Sequence, residues 1–173
     1  NAPVTDAEIR AFYDNHPEQF QEAAAVRAGV IRFKISSKAE ASQRAALREQ
    51  AAAIRAQAAQ VDEAGFRRLV QQHSEDQATR YAGGDTGWLP ADEPSSHWPP
   101  AVVTAACALP QAGDVAPLVA TAEGFFVVRL VERRPAQRRP LATVQEAVRY
   151  QLQQTRRQQL EAAFTAELKR DLR

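Results

Sequence analysis

Gly83-Gly84-Asp85-Thr86-Gly87-Trp88-Leu89, preceded by Ser74-Glu75-Asp76, is the stretch on which the fold turns. Paired glycines before an aspartate mark a tight turn, because glycine takes positive φ without steric cost. A glycine-rich loop also suggests phosphate binding, but no Gly-Lys-Ser/Thr follows. The turn reading prevails, and Thr86 to Leu89 is predicted to be a short strand. Around it, Ser74 to Pro100 is irregular, broken by Pro90, Pro94, Pro99 and Pro100. Asp76 has two compatible readings: a cap for the segment Gln77 to Tyr81, or a polar group of a site.

Working outward toward the N-terminus, Asp62 caps a helix from Glu63 to Gln72 with Phe66, Leu69 and Val70 facing inward. Ser37 with Glu40 forms a capping box that opens a helix from Lys38 to about Ala59. Alanine supplies most of its helix propensity. Val26 to Ile35 alternates as a strand, with Ile31, Phe33 and Ile35 on one face and Val26, Ala28, Val30 and Arg32 on the other. Toward the C-terminus, Val102 to Leu109 reads as a short helix ended by Pro110 and Gly113. Val115 to Ala120 and Phe125 to Val131 read as an antiparallel pair. The second of these is apolar on both faces, which marks a central strand of a covered sheet.

The two ends are helical. Thr5-Asp6-Ala7-Glu8 is a capping box, Val4 staples against Ile9, and His16-Pro17 ends the helix. Ile9, Phe12 and Tyr13 share a face, Phe20 anchors the exit, and His16 is expected in solvent. Arg133 to Pro140 is read as a solvated linker. Thr143 and Glu146 form a third capping box, opening a helix of about 27 residues, or about 40 Å, to Arg170. Its stripe runs through Val144, Val148 and Leu152, then Leu160, Phe164, Leu168 and Leu172. Such a stripe needs a partner, and the first helix is the natural one. The expected domains are a helical arm at 1–25, an α/β body at 26–133, and a linker with a long helix at 134–173 that returns to the arm.

The 173 residues carry 22 basic and 21 acidic side chains, a net charge of +1. No global field draws nucleic acid or an anionic membrane surface. The single cysteine, Cys107, excludes an intrachain disulfide and reads as a small buried hydrophobe. His16, His73 and His97 show no metal-ligand spacing, and no cofactor is called for. No apolar run reaches the roughly 20 residues of a membrane span, so no membrane contact is expected of this stretch. The chain contains no methionine. It is read as starting part-way into a longer product, with Asn1-Ala2 as an expression scar and any targeting segment outside it.

The order strand, long helix, short helix, Gly-Gly-Asp turn, strand, helix, strand, strand resembles the parvulin-type (PpiC, rotamase) peptidyl-prolyl cis-trans isomerases. Five pieces carry the resemblance, in order, over Val26 to Glu132. They are Val26-Arg27-Ala28-Gly29-Val30-Ile31, Ser74-Glu75-Asp76, Gly83-Gly84-Asp85-Thr86-Gly87-Trp88, Gly113-Asp114-Val115-Ala116-Pro117-Leu118 and Gly124-Phe125-Phe126-Val127-Val128. The flanking helices are similar to those of extracytoplasmic foldases of the SurA and PrsA kind. The resemblance implies an α+β fold. A four-stranded, mainly antiparallel sheet is covered by helices, and the N- and C-terminal helices form a separate lobe. It also implies a periplasmic or periplasm-facing location and unfolded or proline-containing polypeptides as clients.

Two departures bear on activity. The family's two facing histidines map to Val30 and Phe126, whereas its third polar position maps to Asp76 and is kept. The apolar pocket for the substrate proline maps to Trp98, Val102 and Cys107, after a loop at Pro90 to His97 about four residues longer than the family's. By resemblance Asp76 is the catalytic group, and Trp98, Val102, Cys107, Val30 and Phe126 line the binding site. Trp98 is read first as a packed aromatic, which can also line the pocket, and His73 is read as the only histidine near the expected site, a partial replacement for a lost one. Three functions follow. The chain is an isomerase weakened by the lost histidines, a non-catalytic parvulin-fold holdase, or a homodimerisation module that exchanges its long helix.

Overall fold

The computed structural model describes residues 3–171; Asn1, Ala2, Leu172 and Arg173 lie outside them, as does the side chain of Leu168. Within them the chain divides into two units, 23–136 and a second made of 3–22 with 137–171.

In the first unit, strand alternation puts two apolar sets on opposite faces of one sheet. The strands are β2 (Ala25–Lys34), β3 (Asp85–Pro90), β4 (Val119–Thr121) and β5 (Gly124–Arg134), all antiparallel, in the order β3-β2-β5-β4. Val26, Ala28 and Val30 of β2 join Phe126, Val128 and Leu130 of β5 beneath helix α4 (Pro100–Ala108). Ile31 and Phe33 join Phe125 and Val127 beneath α2 (Ala41–Ala58) and α3 (Glu63–His73). Both central strands are therefore largely buried on both sides, as the apolar run of β5 predicts, while β2 reaches the same burial with Arg27 and Arg32 among its apolar residues.

Gly83 and Gly84 both take φ +72 and turn the chain into β3. A Cβ on Gly84 would stand 2.3 Å from the Val30 carbonyl oxygen, so a side chain there meets both a conformational and a steric barrier. Asp85 forms a two-toothed ion pair with Arg27 across the β2–β3 pair.

Several boundaries differ from the sequence reading. Helix α2 starts at Ala41 rather than Lys38. Ser36 Oγ accepts the Lys38 N–H to close a turn, and the reciprocal cap is Glu40 with Gln43. Helix α4 starts at Pro100, two residues early, because proline at the first turn has its φ preset and needs no N–H partner. The predicted strand from Val115 to Ala120 is broken. Val115 makes one bridge to Arg129, and β4 begins at Val119. Pro117 lies between them and has no N–H to give a ladder.

In the second unit, α1 (Asp6–Asn15) opens with the Thr5–Glu8 capping box. After a 3-10 turn at Pro17–Phe20, β1 (Gln21–Glu22) pairs with β6 (Gln137–Arg138). The expected solvated linker is thus partly strand, and Arg138 stacks on the Tyr13 ring at 3.7 Å. His16 is half-buried rather than solvated: its ring stacks on Phe12 at 4.2 Å and Nδ1–H donates to the Phe12 carbonyl. Helix α5 (Leu141–Asp171) starts ahead of the predicted capping box. Thr143 instead turns its hydroxyl back to the Pro140 carbonyl, 2.7 Å away. Val144 and Val148 pack with Val4, Ile9 and Phe20, while Leu160 and Phe164 farther along α5 are 54% and 64% exposed. The stripe is covered over its first turns and exposed at Leu160 and Phe164. Among the described residues no helix is long and apolar enough to cross a membrane.

Candidate functional site

Where β3 stops pairing, the segment after α3 takes over the free edge of β2. Ser74 Oγ accepts the Arg32 N–H, the Glu75 N–H donates to the Arg32 carbonyl, and the Val30 N–H donates to the Gly84 carbonyl. Ser74 is buried, and its hydroxyl also accepts the Asp76 N–H at 3.4 Å. This stitching fixes Asp76 against the sheet face that carries Val30 and Phe126.

The Asp76 side chain is 5% exposed. Its Oδ2 accepts both the Thr79 N–H at 3.2 Å and the Thr79 hydroxyl at 2.5 Å, so the capping role is real. The segment it caps is a turn followed by a 3-10 turn at Arg80–Ala82 rather than a helix. Oδ1 accepts from Nε2 of His97 at 3.1 Å, with Arg32 Nη1 at 3.9 Å. Burial pushes this carboxyl up, but the hydrogen bonds from Thr79 and His97 outweigh it and hold it below the usual carboxylate range. Asp76 is therefore an anion at neutral pH.

The expected pocket residues do come together. Val30, Trp98, Val102 and Phe126 belong to one buried cluster, and Cys107 packs against it half-buried. The Trp98 indole is 3% exposed and meets the Phe126 ring edge-on, centroids 6.5 Å apart. Arg32, which follows Val30 by two on β2, lies opposite Phe126, with its guanidinium 5.7 Å over that ring. Its other end pairs with Glu123 at 2.9 Å. Burial raises the Cys107 thiol despite the nearby Arg133, which makes it a poor nucleophile. Among the described residues no cluster of His, Cys, Asp or Glu is placed to hold a metal.

His97 is the residue the sequence reading missed. His73 borders a different surface depression with Lys34, Gln50 and Gln72, so it is His97 that reaches Asp76. The signal was available in the long loop ending Ser95-Ser96-His97-Trp98, just before the first pocket position. What the sequence did not carry was the direction in which that loop folds back. A buried carboxylate beside an apolar wall, with polar groups at the rim, suits a reaction that breaks no covalent bond. Turning an X-Pro amide needs a grip on the ring and a few groups that favour the twisted form.

Sheet order, the Gly-Gly-Asp turn and the place of Asp76 define a parvulin-type isomerase fold with an altered site. The chain belongs to the PPIC-type PPIase domain family, whose model matches residues 4–146. Among solved structures it is similar to a SurA-like chaperone of Campylobacter jejuni, from the pair PEB4 and Cj1289. The TM-score is 0.72 at 19% identity, over 95% of this chain and 61% of that one. The peptidylprolyl isomerase PrsA of Bacillus anthracis gives a TM-score of 0.50 at 20% identity, over 88% of this chain and 57% of that one. A PpiC-type peptidyl-prolyl cis-trans isomerase domain gives 0.54 at 23%, over 66% of this chain and 95% of that one. These likenesses establish the fold, and the chain spans about three fifths of the length of the first two. No curated protein matches its sequence.

Proposed function

We propose that this chain is a foldase module that binds unfolded, proline-containing polypeptides and turns X-Pro bonds weakly, with Asp76 as its catalytic group. The observation that carries the reading is the Asp76 carboxylate, held ionised 3.1 Å from His97 beside the Trp98–Phe126 wall. Trp98, Val102, Cys107, Val30 and Phe126 form the apolar side of this proposed site. Weakness follows from Val30 and Phe126: neither can donate or accept a hydrogen bond as the family's histidines do. A holdase without turnover is the second reading. It is favoured by the burial of Trp98, Val102 and Phe126, which leaves little room for a proline ring unless the indole moves.

Exchange NMR on a panel of X-Pro peptides with the 173-residue chain separates the two. Exchange above the uncatalysed rate that is lost in Asp76→Ala supports the isomerase. Peptide-induced shifts without exchange select the holdase, and neither shifts nor exchange would overturn both. The finer parts of the reading are a location outside the cytoplasm, division into a client-handling body and a helical lobe, and pairing of two copies through α5. Fractionation of cells producing the protein and light scattering test the first and last.

A further inference from the structure

We propose that His97, delivered by the long loop between β3 and α4, takes the place of the two absent strand histidines and holds the Asp76 carboxylate in its working orientation. The inference rests on the isomerase-type reading of the site and adds a positioning residue to it.

The family's histidine positions are here wholly apolar: Val30 and Phe126 are each 0% exposed. A carboxylate beside them gains no hydrogen bond from these two positions, and an unpaired buried anion is costly. Partners must come from elsewhere. Thr79 saturates Oδ2 from the chain's own next turn. On Oδ1, His97 provides the one hydrogen bond among the described residues. Arg32 stands farther off at 3.9 Å and is drawn toward Glu123.

The loop is built to hold that imidazole. Ser95 Oγ accepts the N–H of His97 at 3.2 Å and of Trp98 at 3.0 Å, which fixes the backbone at the loop's end. Trp98 is sunk in the core, and its ring meets the His97 ring edge-on at 4.7 Å and 89°. The buried indole therefore orients the imidazole, which in turn orients the carboxylate. A carboxylate only accepts, so Nε2 carries the proton and a neutral ring keeps Nδ1 as an acceptor. The His97 side chain is 44% exposed against 5% for Asp76. It is thus a bridge from the buried anion to the surface where a peptide would lie.

The test compares wild type, His97→Ala and His97→Gln in the 173-residue chain. It follows the Asp76 carboxyl by ¹³C NMR against pH, the wild-type imidazole by ¹⁵N NMR, and X-Pro exchange. The proposal expects the proton on Nε2 at pH 7.5 and a rise of the Asp76 titration midpoint in His97→Ala. His97→Gln, which keeps an N–H donor, should restore most of the shift. Turnover should fall about tenfold in kcat with KM within about twofold, the loss of one hydrogen bond to a charged group. An unmoved Asp76 midpoint, or a wild-type ring with its proton on Nδ1, overturns the proposal. A wild-type chain without any exchange removes the isomerase reading instead, while the Asp76 midpoint still decides whether His97 holds it. If His97→Ala fails to fold, the wild-type tautomer and the Gln variant decide.

Discussion

Asp76 keeps its charge inside the fold because three donors meet its two oxygens, and this gives the native state a measurable acid sensitivity. Its carboxyl lies below the usual range in the folded chain. A depressed folded value stabilises the native state above the unfolded value of about 3.9 and loses that stabilisation as pH falls through the folded value. Denaturant midpoints of wild type and Asp76→Asn should therefore differ most above about pH 4 and converge below it. A gap that stays constant from pH 6 to pH 2 would show that the charge contributes nothing. The parvulin resemblance pointed to Asp76 in the sequence, through Ser74-Glu75-Asp76 ahead of the Gly-Gly-Asp turn. Its partner was not. His97 is 21 residues away along an irregular loop, and no periodicity says where such a loop points.

Elements were legible where local chemistry and burial agree. The run Phe125 to Val131 is apolar on both faces and does become a central strand. The Thr5–Glu8 box forms as written. Misreadings gather where two local signals compete. Ser37–Glu40 and Glu40–Gln43 are rival caps three residues apart, and tertiary packing of Ala51, Ile54 and Ala58 accompanies the later one. Thr143–Glu146 has the cap pattern, yet the helix already begins after Pro140. The glycine turn is the element whose geometry allows least change. Gly84→Ala adds a Cβ that must approach the Val30 carbonyl at 2.3 Å and a residue that disfavours φ +72. We expect a loss of about 1–3 kcal/mol in chemical denaturation. Unchanged stability would mean that the turn relaxes at no cost.

At the scale of the molecule, residues 23–136 hold both apolar layers and the whole four-stranded sheet. This unit of about a hundred residues is large enough to bury a core of its own. A chain cut to 23–136 should give dispersed amide resonances and one cooperative unfolding transition. A molten, poorly dispersed spectrum would show that the terminal helices are needed for folding.

The amino-acid sequence by itself determined the two central strands, the glycine turn, the helical ends and the family, because those depend on period, capping and backbone allowance within a few residues. The tertiary structure alone decided that β1 and β6 pair, that the α5 stripe is covered at Val144 and Val148 but exposed at Leu160 and Phe164, and that His97 rather than His73 meets Asp76. Each of these joins residues that are distant in sequence, through a loop course or a helix contact that local chemistry leaves free.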